Sequence, residues 1–458
     1  MIKLLLISTI NTTSEVECRY PDLGLGYLAG NLRNKFGSDI NIRVIDRDFE
    51  KTFEVYKPDL VGIRAVSQNY SKAKRIAEIA YKKGVPVLMG GIHITALPHS
   101  LDANMTIGCL GEGEDTIVEL ARLFLDKGRF RAEDLINIRG LCFWFENKLC
   151  LTPPRPPIEE LDVIPLPARD LIKIRPHTYM FTSRGCPYHC LFCASSAFWK
   201  KPRYFSADYV VNEIGELIQN YKVKFITFYD DMFISNIPRL KRIAEGLDKA
   251  GLLKKIKFSC SCSAPNITAD VVQILKEMNV VSVAMGLESG SDNTLQYLKG
   301  KAFSIAKNRQ SVEILKKNNI AVNAGFVIGS PEETVEDMMD TYRFIKETQL
   351  SFFDIYVLTP YPGTFIWKYA LDKQLVREDM HWDNLNINFD VNNQKAIILS
   401  EKMNRAELVR VYKKFRRLRL WCSLKNIWWH PYLIDLPNIS LNIMKEKVYQ
   451  CFHAGNNE

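Results

Sequence analysis

No stretch of this sequence approaches the roughly 18 consecutive apolar residues that a membrane span needs. It also has no internal repeat and no low-complexity tract. A transmembrane bundle, a solenoid and a disordered chain are therefore set aside. The apolar opening MIKLLLISTI is too short for a secretory leader and runs straight into Asn11, Thr12 and Glu15. It predicts a buried first strand, and with it a cytoplasmic protein. Eleven cysteines are present, but a reducing compartment does not favour a disulfide framework. Cys18, Cys109, Cys142, Cys150, Cys260, Cys262, Cys422 and Cys451 are scattered among apolar neighbours and read as small buried hydrophobes. A dinucleotide fingerprint is missing too, because Gly24, Gly26 and Gly30 place the third glycine one residue late for GxGxxG. The net charge of +9 gathers near the C-terminus in Arg410, Lys413, Lys414, Arg416, Arg417, Arg419 and Lys425. No interleaved aromatic and basic strands accompany it, so no nucleic-acid partner is expected.

What is present is ordinary globular composition, 47% hydrophobic and 25% charged, over 458 residues. That length suits two or three domains. Residues 1–137 alternate apolar strands (3–8, 42–46, 60–64, 85–89, 105–110) with amphipathic helices such as 25–35 and 71–83. This pattern predicts an α/β fold, a doubly wound Rossmann-like domain with its ligand beyond the carboxyl ends of the strands. Glycines cluster at those ends, Gly90 and Gly91 after the fourth strand and Gly111 and Gly113 after the fifth. Two such pairs on one face favour a ligand over simple turns. Residues 138–175 read as a hairpin followed by a stiff connector rich in proline (Pro153, Pro154, Pro156, Pro157, Pro165, Pro167). Residues 176–370 contain six strand–helix units, which suit a partial (β/α)6 TIM-type barrel with functional groups at the carboxyl ends of its strands. Residues 371–458 read as a helical extension. Leu408, Val411, Tyr412, Phe415, Leu418 and Cys422 recur there at helical spacing, opposite the basic residues. A solvated charged face and a membrane surface both fit that helix, the second helped by Trp428 and Trp429.

Cys186, Cys190 and Cys193 stand apart from the other cysteines, on one short loop directly after the first barrel strand. Three soft thiolates can grip three irons of a cubane, leaving the fourth iron open for a substrate. Zinc is the competing reading, but it would want a fourth Cys or His. His189 adjoins Cys190, which makes shared tetrahedral coordination awkward.

The spacing CxxxCxxC, with Phe192 before the last cysteine, resembles the radical S-adenosylmethionine (radical SAM) superfamily. The resemblance implies a [4Fe–4S] cluster on the three cysteines and reductive cleavage of S-adenosylmethionine to a 5′-deoxyadenosyl radical. It places Asp230 and Asp231 beside the methionine moiety, Glu288 and Ser289 at the ribose, and Val327 and Thr359 near the adenine. Gly325 to Glu332 fits the family's GxIxGxxE pattern, with Glu332 expected as a brace. Relatives often carry an arginine after the third barrel strand, which can pair with the S-adenosylmethionine carboxylate, where this chain has Pro265. Ser261 and Ser263 are the alternatives for that contact. Cys260 and Cys262 share a strand face, but two ligands do not make a second cluster site.

The front section is similar to the cobalamin-binding domain fused ahead of many such enzymes, through Gly24, Gly62, Gly90, Gly91, His93, Gly111 and Glu112. The DxHxxG motif that supplies an axial histidine is absent. The resemblance therefore implies base-off cobalamin, with His93 either approaching the corrin or serving as an ordinary loop histidine. The expected activity is a cobalamin-dependent radical methyltransferase acting on an unactivated carbon. The alternatives are a cyclase, oxidase or rearrangement enzyme like the anaerobic porphyrin cyclase, and a non-catalytic iron–sulfur or corrinoid-binding protein. Expected partners are a small-molecule or lipid-like substrate and an external electron donor of the flavodoxin or ferredoxin type. Peripheral membrane contact is a further expectation.

Overall fold

The computed structural model describes residues 1–10, 22–389 and 396–426. Cys18, Trp428, Trp429 and Cys451 lie outside the described residues. The chain divides into two compact units, one of residues 1–174 joined by 378–383, the other of residues 175–377 joined by 384–389 and 396–426.

The first unit is built on a seven-stranded sheet of order β2-β1-β3-β4-β5-β6-β7. Its parallel strands are β1 (Ile2–Ser8), β2 (Ile40–Ile45), β3 (Leu60–Arg64), β4 (Val87–Gly90) and β5 (Ile107–Cys109). Helices α1 (Leu23–Phe36), α2 (Phe49–Tyr56), α3 (Tyr70–Lys82), α4 (Ile92–Ala96) and α5 (Glu114–Lys127) connect them or follow them. Leu4, Leu5 and Leu6 are all essentially inaccessible, as expected of a parallel strand covered on both faces. The chain leaves β1 for β2 on one side and β3 on the other. That topological switch sets the ligand crevice beyond the carboxyl ends of β1 and β3.

The hairpin β6 (Leu141–Phe145) and β7 (Lys148–Leu151) extends this sheet antiparallel to β5, so it is part of the domain and not of a linker. The proline connector then packs back on α1. Ala168 donates to the Gly26 carbonyl at 2.9 Å, and Arg33 pairs with Asp170 at 2.7 Å. A Cβ on Gly30 would lie 2.5 Å from the Leu166 carbonyl oxygen. Two of the three glycines that mimic a nucleotide fingerprint, Gly26 and Gly30, are therefore placed to admit the connector.

The second unit carries a six-stranded parallel sheet of order β15-β14-β13-β12-β11-β8. Its strands are β8 (His177–Met180), β11 (Phe225–Phe228), β12 (Lys257–Cys262), β13 (Val280–Glu288), β14 (Ala321–Ile328) and β15 (Phe352–Val357). A small antiparallel pair, β9 (Ser183–Arg184) and β10 (Arg203–Tyr204), follows β8. The helices in order are α6 (Ala194–Phe198), α7 (Ala207–Tyr221), α8 (Ile237–Lys249), α9 (Ala269–Glu277), α10 (Asp292–Lys299), α11 (Ile305–Lys317), α12 (Val335–Glu347), α13 (Phe365–Asp372) and α14 (Arg405–Lys425). Along β13, β14 and β15 buried residues alternate with partly exposed ones, Gly286, Gly325, Asp354 and Tyr356 among them. Register aligns these into rows, Gly286 beside Gly325 and Gly325 beside Asp354. The partly exposed rows form the open inner face of the partial barrel. The expected helical extension is realised in α14, which is closed at its start by a capping box between Asn404 and Glu407. Between Lys373 and Asn404 the described chain is largely irregular, with one short 3-10 turn.

Candidate active site

The cysteine loop leaves β9 and is bound at several points. Its start is fixed by Asp230, whose carboxylate accepts from the Thr182 and Ser183 amides at 2.6 and 3.2 Å and from the Thr182 hydroxyl. Arg239 donates to the Thr182 and Phe205 carbonyls, both at 2.6 Å. The middle is held by Leu191, which donates to the Leu298 carbonyl at 3.0 Å and accepts from Ile366 at 3.2 Å. The Tyr188 hydroxyl bonds Asn266, and Ser196 donates to the Cys193 carbonyl at 2.9 Å. Cys186, Cys190 and Cys193 are all partly exposed. Burial pushes the Cys190 thiol up to about 12, opposed most strongly by the Lys299 ammonium, while Glu288, Cys193 and Cys186 push it further up. Burial and the neighbouring Asp231 and Cys193 likewise raise Cys186. Binding a metal would relieve this cost, since the ligand form is the thiolate.

Among the described residues, no three His, Cys, Asp or Glu side chains converge on one point as a single metal ion requires. Three thiols that each hold a different iron of a cubane need not converge on one point.

The two adjacent carboxylates have different situations. Asp230, expected beside the methionine moiety, is 1% exposed and spends its oxygens on the loop, so it acts as a brace. Asp231 is exposed and accepts from the Ser195 hydroxyl. At the end of β13, Glu288 has a φ of 60°, a conformation that costs a non-glycine residue and is tolerated where surroundings enforce it. Its carboxylate folds back over Gly286, where a Cβ would lie 2.1 Å from it. Lys299 sits 3.5 Å away and donates to the Gly286 carbonyl at 2.7 Å. Burial raises the Glu288 carboxyl, and Lys299 lowers it.

Other expected contacts are committed elsewhere. Ser289 is inaccessible and bonds Thr341 and the Ser291 amide. Thr359 donates to the Val357 and Asn386 carbonyls. Val327 lies beside Tyr356 near the inner face, 7% exposed, and Phe192 is partly exposed on the loop. Glu332 is not the brace. It is largely exposed and pairs with Lys402, whereas the buried Glu333 accepts from Gly329 and Ser330 at 2.6 and 3.2 Å. Burial pushes the Glu333 carboxyl up to about 8. The family pattern could have located it by a one-residue shift. Ser261 is partly exposed on the inner face, and the Cys260 and Cys262 sulfurs lie 3.6 Å apart in the interior.

In the first unit, the crevice beyond β1 and β3 is organised by Asp22. This residue caps α1, accepts from the Ser8 hydroxyl at 2.6 Å and pairs with Arg64 at 2.7 Å. Gly24, Gly90, Gly91 and Gly111 follow or adjoin the strand ends and are partly or fully exposed. Gly91 has a φ of 105°, and a Cβ there would lie 2.5 Å from the Ala65 carbonyl oxygen. Only glycine fits there, because the chain after β4 passes this close to the backbone that follows β3. The other predicted contacts are turned away. Gly62 is buried inside β3 against Leu6, and Glu112 is 8% exposed and holds the Ile158 amide at 2.7 Å. His93 is inaccessible, stacked on Tyr70 and edge-on to Trp382, with both ring nitrogens bonded to Ser67 and Ser100. Burial lowers it to about 3. Of its two readings, the ordinary structural histidine describes it.

Two sites, a thiol loop in an open barrel and a glycine-lined crevice in a doubly wound sheet, define an enzyme class that joins radical chemistry to a corrinoid. Comparison with known proteins agrees. The model of the radical SAM superfamily matches residues 180–345, and that of the B12 binding domain matches residues 12–121. An uncharacterized methyltransferase of Pyrococcus horikoshii is 33% identical over 79% of this chain and 81% of its own. The anaerobic magnesium-protoporphyrin IX monomethyl ester cyclase of Rubrivivax gelatinosus is 26% identical over 88% of this chain and 74% of its own. The radical S-adenosylmethionine methyltransferase TsrM of Kitasatospora setae shares the fold, with a TM-score of 0.68 at 18% identity over 82% of this chain and 77% of that one. The chain belongs to the radical SAM superfamily, in the group that carries a B12-binding domain. It is a cobalamin-dependent, methyltransferase-like enzyme whose cofactors are a [4Fe–4S] cluster, S-adenosylmethionine and cobalamin.

Proposed function

We propose that this enzyme transfers a methyl group to an unactivated carbon of a small molecule, through a 5′-deoxyadenosyl radical. The observation that carries the reading is the loop of three partly exposed thiols, held at its start by Asp230 and at its middle by Leu298 and Ile366. Cys186, Cys190 and Cys193 would hold the cluster, which when bound supplies the electron that splits S-adenosylmethionine. Gly24, Gly90, Gly91 and Gly111 would border the cobalamin, which when bound carries the methyl group.

The chain's own residues supply position and exclusion. Asp230 and Arg239 fix the start of the loop from opposite sides, so its thiols keep one geometry. Glu288, oriented by Lys299, offers a carboxylate that can accept from sugar hydroxyls. Gly325 leaves the inner face shallow enough for a ligand to lie on it. Tyr179, Phe181 and Tyr229 pack together with ring centroids 5.4–6.1 Å apart, an apolar wall that keeps water from a radical. An external low-potential donor of the flavodoxin or ferredoxin type would provide the electron. The outward basic face of α14 supports peripheral contact with an anionic membrane, and a lipid-like substrate with it.

The test is anaerobic reconstitution with methyl-labelled S-adenosylmethionine and candidate substrates, alongside a UV–visible spectrum with iron and corrinoid assays. Label in the product together with 5′-deoxyadenosine is expected. Cleavage to 5′-deoxyadenosine with no methyl transfer would sink the reading and favour a cyclase-like outcome, which the likeness to the Rubrivivax enzyme supports.

A further inference from the structure

Lys299 is the last residue of α10, and its side chain is only 8% exposed. Three groups hold its ammonium beside the thiol loop. It donates to the Gly286 carbonyl at 2.7 Å, lies 3.5 Å from Glu288 and rests 4.4 Å from the centre of the Phe303 ring. Phe303 in turn packs against Tyr188 of the loop, ring centroids 4.9 Å apart. The residue before it, Leu298, takes the amide hydrogen of Leu191 between Cys190 and Cys193. The lysine is thus tied to the loop through backbone and ring, with no freedom to swing into water.

We propose that Lys299 is the fixed countercharge of the cluster, and that it sets the ease with which the cluster accepts its electron. Reduction adds one negative charge to an assembly already made anionic by three thiolates, and the electron comes from the external donor. In a partly buried site a cation held nearby stabilises that added charge far more than it would in water. Lys299 is therefore a positioning residue that acts through the cysteines. This inference rests on the assignment of Cys186, Cys190 and Cys193 as ligands.

The experiment is a redox titration of the reconstituted full-length chain followed by electron paramagnetic resonance, without S-adenosylmethionine, on wild type, Lys299→Met, Lys299→Arg and Glu288→Gln. At the wild-type midpoint, Lys299→Met should lower the ratio of reduced to oxidised cluster about tenfold, which is about 59 mV for a one-electron couple. Lys299→Arg should stay within about twofold of wild type, because it keeps the charge. Glu288→Gln removes the opposing carboxylate and should move the ratio the other way. A Lys299→Met chain with wild-type iron content and an unchanged ratio overturns the proposal. Should that variant take up no iron, Glu288→Gln decides: a raised ratio supports the countercharge, and an unchanged or lowered one refutes it. Failure of the ligand assignment looks different, because wild type itself would then hold no cluster.

Discussion

At the scale of single residues, the sequence located the chemistry but not the division of labour within it. The cysteine triad was legible because its spacing is its function. Asp230 and Asp231 are identical and adjacent, yet one is buried and braces the start of the loop while the other is exposed and accepts from Ser195, a distinction that only the turn after β11 creates. His93 and Glu112 stood in ligand-like motifs and proved to serve the interior, because burial is decided by neighbours far along the chain. Replacing Cys190 with Ala should reduce S-adenosylmethionine cleavage to background, measured as 5′-deoxyadenosine, with the fold intact by circular dichroism. Glu333 offers a pH test. Its carboxyl is raised in the folded state, so its contribution to stability is full below its ordinary value near 4.5 and is lost as pH rises through about 8. The Glu333→Gln variant cannot ionise there, so its melting temperature should fall less than that of wild type between pH 6 and pH 9. Gly91→Ala should weaken corrinoid retention in a reconstitution assay, since a Cβ at that φ costs roughly 1–3 kcal/mol before the carbonyl of Ala65 is met.

At the scale of elements, alternation of strands and helices was plain in the sequence because parallel strands are continuous apolar runs. The hairpin was also legible, but its place was not. Nothing local to residues 141–151 says that they join β5, since that pairing is set by the edge the parallel strands leave open. The same holds for α14. Its inner face was evident from periodicity, whereas the structure adds that Leu420, Trp421 and Leu424 stand 59–62% exposed beyond the basic turns of Arg410, Lys413, Lys414 and Arg417. A helix whose apolar stripe is already buried, and which still presents three large apolar side chains beside cations, suits an anionic bilayer surface. Flotation with vesicles containing phosphatidylserine should carry the protein upward, and vesicles of phosphatidylcholine should not. Replacing Lys413, Lys414 and Arg417 with Gln should abolish the difference. No helix among the described residues is long and apolar enough to cross a membrane.

At the scale of the whole molecule, the chain divides into two compact units near residue 175, where the proline connector ends. Their composition in sequence was less visible, because residues 378–383 belong with the first unit although they follow the barrel. Trp382 is 5% exposed and lies edge-on to His93, ring centroids 4.5 Å apart, and His99 pairs with Glu378 at 2.8 Å. Replacing Trp382 with Ala should destabilise the first unit by about 3–5 kcal/mol, read as an earlier unfolding transition in calorimetry. This late-arriving tryptophan also has a consequence in time. At about 5–20 residues per second, the ribosome delivers it roughly 10–40 s after the rest of its unit has been made. For that interval the nascent first unit lacks the ring that packs edge-on against His93, so its core closes only after the barrel strands have been made.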